Sequence, residues 1–399
     1  MLETALASGR ALRTVFYLPV VTPWWFTHIV IRLIRVMARD HEVHVLVPPL
    51  WRNTGIGPEQ IDLIAELPHV FWHVLDGPDH TNLRGDAAQP DDLFALIDHI
   101  NPDVTLCRSA DIVSPQRFPG TVRYIMEAAA PPFVTQSQCI WLAPTLFDYG
   151  MMPEFSPEQA AKLDTLAGPL WDQMHHALDL PPKEDFMSAH SLPDGRRIIG
   201  LPLEYEHEEN FFDQHHRFAE NAQMTTSIVA TLDDDCVLAV TDHPLNALYG
   251  DTIALEAAIT DTGGKAVLLD NDEEAGSVTL ALAKHCDAMI VGNSKSWAAC
   301  AAFGTPLLRL SNFATGGWVN AYHSLPEFLQ DLANGNARSA DPQLARRWFT
   351  FHLANCLIDP ADPTLSADKI IARINTPSSL PAWTEAISRY RAQCDAQVA

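Results

Sequence analysis

Basic side chains are scarce in this chain: 26 Lys and Arg stand against 50 Asp and Glu among 399 residues, a formal net charge of −24. That balance excludes a general nucleic-acid footprint and broad adhesion to anionic lipid, while leaving room for a local basic patch and peripheral membrane contact. Long apolar runs are missing as well, so no transmembrane segment is expected. The opening Met1-Leu-Glu-Thr-Ala-Leu-Ala-Ser-Gly-Arg10 has an early acid and no apolar core, so it does not read as a secretory leader. The seven cysteines are scattered and odd in number, with no Cys-x-x-Cys, and are expected to be reduced thiols of a cytoplasmic protein. No His-Glu-x-x-His occurs. The pairs His175-His176 and His215-His216 are read as solvated or packing histidines, and no metal is assigned. Low-complexity tracts and short-period repeats are absent too, which excludes a linker-rich or solenoid design.

What is present is an ordinary globular composition, 47% hydrophobic and 19% charged, at a length that suits two cores. Strand and helix signals alternate from the start. Strands are expected at Thr14–Val21, Glu42–Val47, Val70–Val74, Val104–Cys107 and Val122–Met126, with helices at Phe26–Ala38 and Asp91–Ile100. Residues Phe133–Met152 read as irregular and aromatic, and a helix opens at Ser156-Pro157 and runs to about Leu178. The turn-rich stretch between about 180 and 196 is taken as the domain junction. A second alternating set follows, with strands at Ile198–Leu203, Val237–Thr241, Ala266–Leu269, Ala288–Val291 and Pro306–Leu310. Such alternation predicts mostly parallel sheets wrapped by helices. The expected plan is an α/β protein of two doubly wound, Rossmann-like domains facing a cleft: 1–185 on the acceptor side, 196–325 for a nucleotide, and a helical tail, 326–399, able to cross back to the first domain.

Two strand ends in the second half carry the most chemistry. Val237-Leu-Ala-Val-Thr-Asp-His243-Pro244 delivers a histidine and a proline to a carboxyl edge. Asp287-Ala-Met-Ile-Val-Gly-Asn293-Ser294-Lys295-Ser296 runs from a strand into a hydroxyl-rich helix start. Ligands of open α/β sheets bind outside the carboxyl ends of strands, so these ends predict one shared site suited to a phosphate. The His243 imidazole can donate to a phosphate oxygen, and the serine hydroxyls with the Lys295 ammonium can surround an anion; an N-cap serine is the plainer reading of Ser296. A third segment, Leu201-Pro-Leu-Glu204-Tyr-Glu206-His-Glu208-Glu209, clusters carboxylates after a strand, where repulsion can raise a carboxyl pKa toward neutrality. Glu208 and Glu204 are its candidate acid or base groups. In the first half, Trp24 and Trp25 offer faces for a sugar, Arg108 and Asp111 can orient hydroxyls, and Glu127 ends a strand beside the expected cleft. Gly316-Gly317 is a flexible backbone able to approach a ligand closely.

Together these residues resemble the GT-B glycosyltransferases of the capsule-polysaccharide synthesis type, which include bacterial β-Kdo transferases. Pro202-Leu203-Glu204 with Glu208, then His243-Pro244, then Asn293-Ser294 fall where that family has a Pro-Leu-Gln segment with a following acid, a His-Pro strand end and an Asn-Ser strand end. Glu204 stands where glutamine is usual, Thr241 where a lysine often precedes His-Pro, and Trp297-Ala-Ala in place of a Gly-x-Glu-Ala run. A His-Pro and serine pair is also similar to that of bacterial sialyltransferases, which use CMP-sugars. The resemblance implies a cytoplasmic, metal-independent transferase that takes a nucleotide-sugar as substrate, with no further cofactor. His243, Pro244, Asn293, Ser294, Lys295 and Ser296 would hold the nucleotide, and Glu208, Glu204, Asp111 or Glu127 would do the acid–base work. The acceptor implied is a cell-surface polysaccharide or glycolipid. A nucleotide-sugar epimerase and a catalytically decayed sugar- or nucleotide-binding partner are the alternatives.

Overall fold

A computed structural model describes residues 2–50, 54–74, 91–108, 111–127, 139–176, 178–207, 212–249, 252–270, 275–374 and 380–398. The first sheet is built from β1 (Arg13–Tyr17), β2 (Glu42–Val47), β3 (Val70–Val74), β4 (Val104–Cys107), β5 (Thr121–Glu127) and β6 (Ile140–Ala143), in the order β3-β2-β1-β4-β5-β6. All of its pairings are parallel except β5 with β6. The second sheet is built from β7 (Arg197–Pro202), β8 (Cys236–Thr241), β9 (Ala266–Leu268), β10 (Ala288–Val291) and β11 (Leu307–Arg309), in the order β11-β10-β7-β8-β9, all parallel. Each sheet therefore starts at its centre, winds outward one way and returns to wind the other. The direction reverses between β1 and β4 in the first sheet and between β7 and β10 in the second, and such reversals open a crevice at the carboxyl edge.

The strands form where apolar, β-branched runs must be covered on both faces. Every residue of β8 is buried, as a central parallel strand requires. In the first domain one face packs on Phe26, Leu33, Ile34 and Met37, and the other on Phe94 and Ile97. The helix after β1 begins with Pro23, capped by Thr22 whose hydroxyl accepts the Trp25 N–H at 3.2 Å, and passes through a π-helical turn at Phe26–Val30 before Ile31–Met37. In the second domain one face packs on Met224, Ile228 and Leu255, the other on Ala281, Leu282, Trp297 and Cys300. At Gly200 in β7 a Cβ would lie 2.1 Å from Met289 Sδ, so only glycine lets β7 and β10 close over that side chain.

Three readings of the sequence are corrected here. The stretch Phe133–Met152 is not wholly irregular: Ile140–Ala143 forms β6, antiparallel to β5, and Ile140 also bridges Ile358. A four-residue edge strand is too short to show a period, and of its partners only the Ile358 bridge comes from distant chain. The turn-rich junction contains the helix Lys183–Ala189, with Phe186 and Met187 buried. The helix Pro157–His176, expected with the first domain, sends Leu163, Leu170 and Trp171 into the same core as Val237 and Met289. In the tail, Ile370, Ile371 and Ile374 of the helix Ala367–Ile374 pack in one core with Leu33 and Val45. No helix among the described residues is long and apolar enough to cross a membrane.

His352 marks where the tail turns. It is buried, stacked on Trp348 at 4.6 Å, and its Nε2 has no hydrogen-bond partner. Burial drives its pKa from 6.5 down to about 3. A histidine held neutral by the fold contributes stability above its unfolded pKa, and that contribution is lost as pH falls below about 6.5 toward 3, at about 1.4 kcal/mol per pH unit. His352→Phe should flatten the acid limb over that window. Urea unfolding of both chains at pH 7, 5 and 4 reads the difference; parallel pH dependences would show that His352 does not govern it.

Candidate functional site

The carboxyl edges of the two sheets meet. Between them lies a cleft of about 240 Å³, lined by Arg108, Met126 and Glu127 from the first domain, Leu146, Phe147 and Tyr149 from the connecting segment, and Leu203, Glu204, Tyr205, His215, His243, Asn293, Ser294 and Lys295 from the second. Seven of the sequence-derived candidates thus converge: Arg108, Glu127, Glu204, His243, Asn293, Ser294 and Lys295. Pro244 and Ser296 sit immediately beside lining residues.

Glu204 follows β7 and Asn293 follows β10, so they face each other across the reversal point. The Asn293 N–H donates to Glu204 Oε1 at 2.5 Å, and His216 Nε2 stands 3.0 Å from Glu204 Oε2. A Cβ on Gly292 would lie 2.2 Å from that same Oε1, so the absent side chain is what admits the carboxylate. Glu204 therefore locks the two strand ends together. Asn293 is buried: its Oδ1 accepts from Ser311 Oγ at 2.6 Å and its carbonyl accepts from Tyr149 Oη at 2.6 Å. This arrangement aims the Asn293-Ser294-Lys295 turn into the cleft.

His243 is held by its own loop. Its N–H donates to Asp242 Oδ1 at 2.8 Å, and its Nδ1 accepts the Leu245 N–H at 3.2 Å. With Nδ1 accepting, a neutral ring carries its proton on Nε2, where it serves as a donor. Burial lowers the His243 pKa, against the opposing pull of Asp242 and Glu204. The Ser294 and Ser296 hydroxyls are 2.9 Å apart, and Ser294 Oγ accepts the Ser296 N–H at 3.3 Å. Ser296, expected as the cap, makes no capping hydrogen bond with its side chain, and the helix begins at Trp297. Pro244 opens the next helix, Pro244–Tyr249, and is exposed.

Lys295 does not stand free to meet an anion. It forms an ion pair with Glu127 across the cleft, and Arg108 Nη2 lies 3.7 Å from the other Glu127 oxygen. The Arg108 guanidinium in turn covers the Trp25 ring at 4.1 Å. Desolvation, with Arg108 repelling it, lowers the Lys295 pKa to about 8.

Other expectations fare differently. Asp111 is buried outside the cleft lining; its carboxylate accepts from Tyr17 Oη at 2.8 Å and from the N–H groups of Val113 and Ser114 at 2.9 and 3.1 Å. That geometry organises the loop after β4. Glu208 lies outside the described residues. Gly316 meets protein rather than an open cleft: a Cβ there would lie 2.1 Å from the Gly150 carbonyl oxygen, and its N–H donates to Tyr149 O at 2.8 Å. Trp24 is 47% exposed beside His28 at 4.8 Å. Among the described residues no cluster of His, Cys, Asp and Glu is placed to hold a metal.

Sequence reasoning missed Arg309 and Tyr149, and read His215 only as a solvated or packing histidine. Arg309 is wholly buried on β11, where it donates to the carbonyls of Ala314 (2.5 Å), Gly292 (3.3 Å) and Phe147 and to Thr315 Oγ1 (2.8 Å), and covers the Tyr149 ring at 4.6 Å. The only hint in the sequence was an arginine inside an apolar strand, Leu307-Leu-Arg-Leu310. Tyr149 stacks on Trp297 at 5.3 Å, and His215 accepts from Asn293 Nδ2 at its carbonyl oxygen, 3.3 Å away.

No family model matches the chain, and no curated protein matches it in sequence. Among solved structures it is similar to the Thermosulfurimonas dismutans KpsC β-Kdo 2,7 transferase, at 10% identity over 91% of this chain and 98% of that one, with a TM-score of 0.45. The KpsC β-Kdo 2,4 transferase of the same organism aligns at 10% identity over 78% and 91%, with a TM-score of 0.41. The E. coli ADP-heptose LPS heptosyltransferase II aligns at 14% identity over 82% and 98%, with a TM-score of 0.27. By its own strand orders, and by the meeting of both carboxyl edges at one cleft, the chain is an α/β protein of two doubly wound Rossmann-like domains facing that cleft.

Proposed function

We propose that this protein is a glycosyltransferase that moves a sugar from a nucleotide-activated donor, a CMP-sugar by preference, to a hydroxyl of a cell-surface polysaccharide or glycolipid. The observation that carries this reading is the single cleft where His243, Ser294 and Lys295 on one domain oppose Glu127 and Arg108 on the other. The donor phosphate lies against the second domain, where the Nε2–H of His243, the Ser294 hydroxyl and the Lys295 ammonium receive its charge. Glu204 keeps the two strand ends at the spacing this requires.

When the phosphate arrives, Lys295 exchanges Glu127 for the anion and releases the carboxylate. Glu127 then takes the proton from the acceptor hydroxyl. The acceptor oxygen bonds to the anomeric carbon as the bond from that carbon to the phosphate oxygen breaks. The electron pair goes to the nucleotide phosphate, whose growing charge the three donors stabilise.

The reading is tested by melting the protein with CMP, UDP, GDP and dTDP. A ligand at a hundred times its dissociation constant adds about 2.7 kcal/mol of stability. The expected result is a shift selective for CMP that His243→Ala removes. A selective UDP or GDP shift would keep the transferase and change its donor; no shift with any of the four would overturn it.

A further inference from the structure

A larger pocket, about 440 Å³, opens between the segment 357–365 and the helices Ala367–Ile374 and Leu380–Val398. Its volume falls within the range of small-molecule sites, and it shares no lining residue with the interdomain cleft. Its polar groups are mostly committed to one another. Arg389 pairs with Asp362 at 2.9 Å, and Asp362 also accepts the Thr364 N–H and hydroxyl at 2.8 and 2.7 Å. Lys369 Nζ donates to the Thr364 carbonyl at 2.8 Å, and Asp359 accepts the Ala361 N–H at 2.8 Å.

Arg373 is the exception among its cations. It lines the pocket half-buried and pairs with no carboxylate among the described residues, and burial lowers its pKa, opposed by Cys356 and Tyr390 and reinforced by repulsion from Arg389. A partly desolvated guanidinium without a counter-charge is unfavourable, and this chain has acids in surplus. We propose that this pocket is a second ligand site, for a hydroxylated organic anion, a sugar acid or a sugar phosphate, whose oxyanion is held by Arg373. The planar fork of a guanidinium suits a carboxylate or phosphate. The Glu385 carboxylate and the Tyr390 hydroxyl in the same lining suit sugar hydroxyls, and a bare inorganic ion would leave most of the volume unfilled.

The pocket also sits where the domains are tied together. Ile358, in its lining, exchanges both backbone hydrogen bonds with Ile140 of β6, at 2.9 and 2.8 Å. The helix Leu380–Val398 meanwhile places Trp383 and Ile387 in the second-domain core. This proposal is independent of the transferase reading.

Calorimetric titration of the full chain with glucose 6-phosphate, glucuronate, glucose and inorganic phosphate tests it. The wild-type protein should bind at least one of the two organic anions ten times or more tightly than glucose or inorganic phosphate, and which one binds separates phosphate from carboxylate recognition. Arg373→Gln should weaken that binding at least tenfold with no loss of melting temperature, because no ion pair is removed. Undetectable binding of both anions, equal binding of glucose, or undiminished binding by Arg373→Gln would each overturn the proposal. So would displacement of the anion by a nucleotide that melting shows to occupy the cleft. Should Arg373→Gln fail to fold, the wild-type preference for anion over glucose decides alone.

Discussion

Glu127→Gln should lower the rate of sugar transfer by about 10²–10⁴-fold, the range a positioned acid or base contributes, while leaving the nucleotide-induced melting shift in place. The glutamine keeps the shape of the side chain but cannot accept the acceptor's proton. Glu127 ends β5, so its backbone is held by the sheet, and its carboxylate lies between Arg108 and Lys295. Both cations are partly exposed, and Arg108 also rests on the Trp25 ring. Single-turnover transfer with saturating donor is the measurement. Wild-type rates in Glu127→Gln, with Glu208→Gln inactive, would move the base to Glu208. Unchanged nucleotide binding with no transferase activity in any chain, wild type included, would favour the binding-partner alternative.

Arg309→Met should destabilise the fold by about 1–3 kcal/mol for each buried carbonyl left without its donor. The methionine fills similar volume but leaves the carbonyl oxygens of Phe147, Ala314 and Gly292 without this donor in a site from which water is excluded. Two of those carbonyls flank the cleft, so nucleotide affinity should fall together with stability. Arg309→Lys should recover only part of the loss, because an ammonium cannot span the same acceptors as a planar fork. Urea unfolding with the three chains reads both effects. A loss below about 1 kcal/mol in Arg309→Met would show that water or a shifted loop satisfies those oxygens.

These two residues also show how far the sequence reaches. Glu127 was visible as an acid ending a β-rich run, because strand period and strand end are local properties. Arg309 was not, since its meaning lies in four acceptors, one of them 162 residues away. Asp111 shows the opposite error: an acid at a strand end has the right address for chemistry, yet its carboxylate is folded inward to hold Tyr17 and a turn. The Lys295 ammonium was expected to meet a phosphate, and the structure gives it a carboxylate from the other domain instead.

The amino-acid sequence by itself determined the alternation of strands and helices, the two mostly parallel sheets, and which strand ends carry His243 and Asn293. Apolar periodicity, proline and glycine act within a few residues of themselves, and a parallel strand covered on both faces must be continuously apolar. Only the tertiary structure decided that the helix Pro157–His176 belongs to the second core, that β6 closes the edge of the first sheet, and that Glu127, Arg108 and Lys295 share one cleft. Those outcomes depend on which surfaces meet between separate segments of the chain, and the free energy of such contacts is not encoded in any short run of sequence.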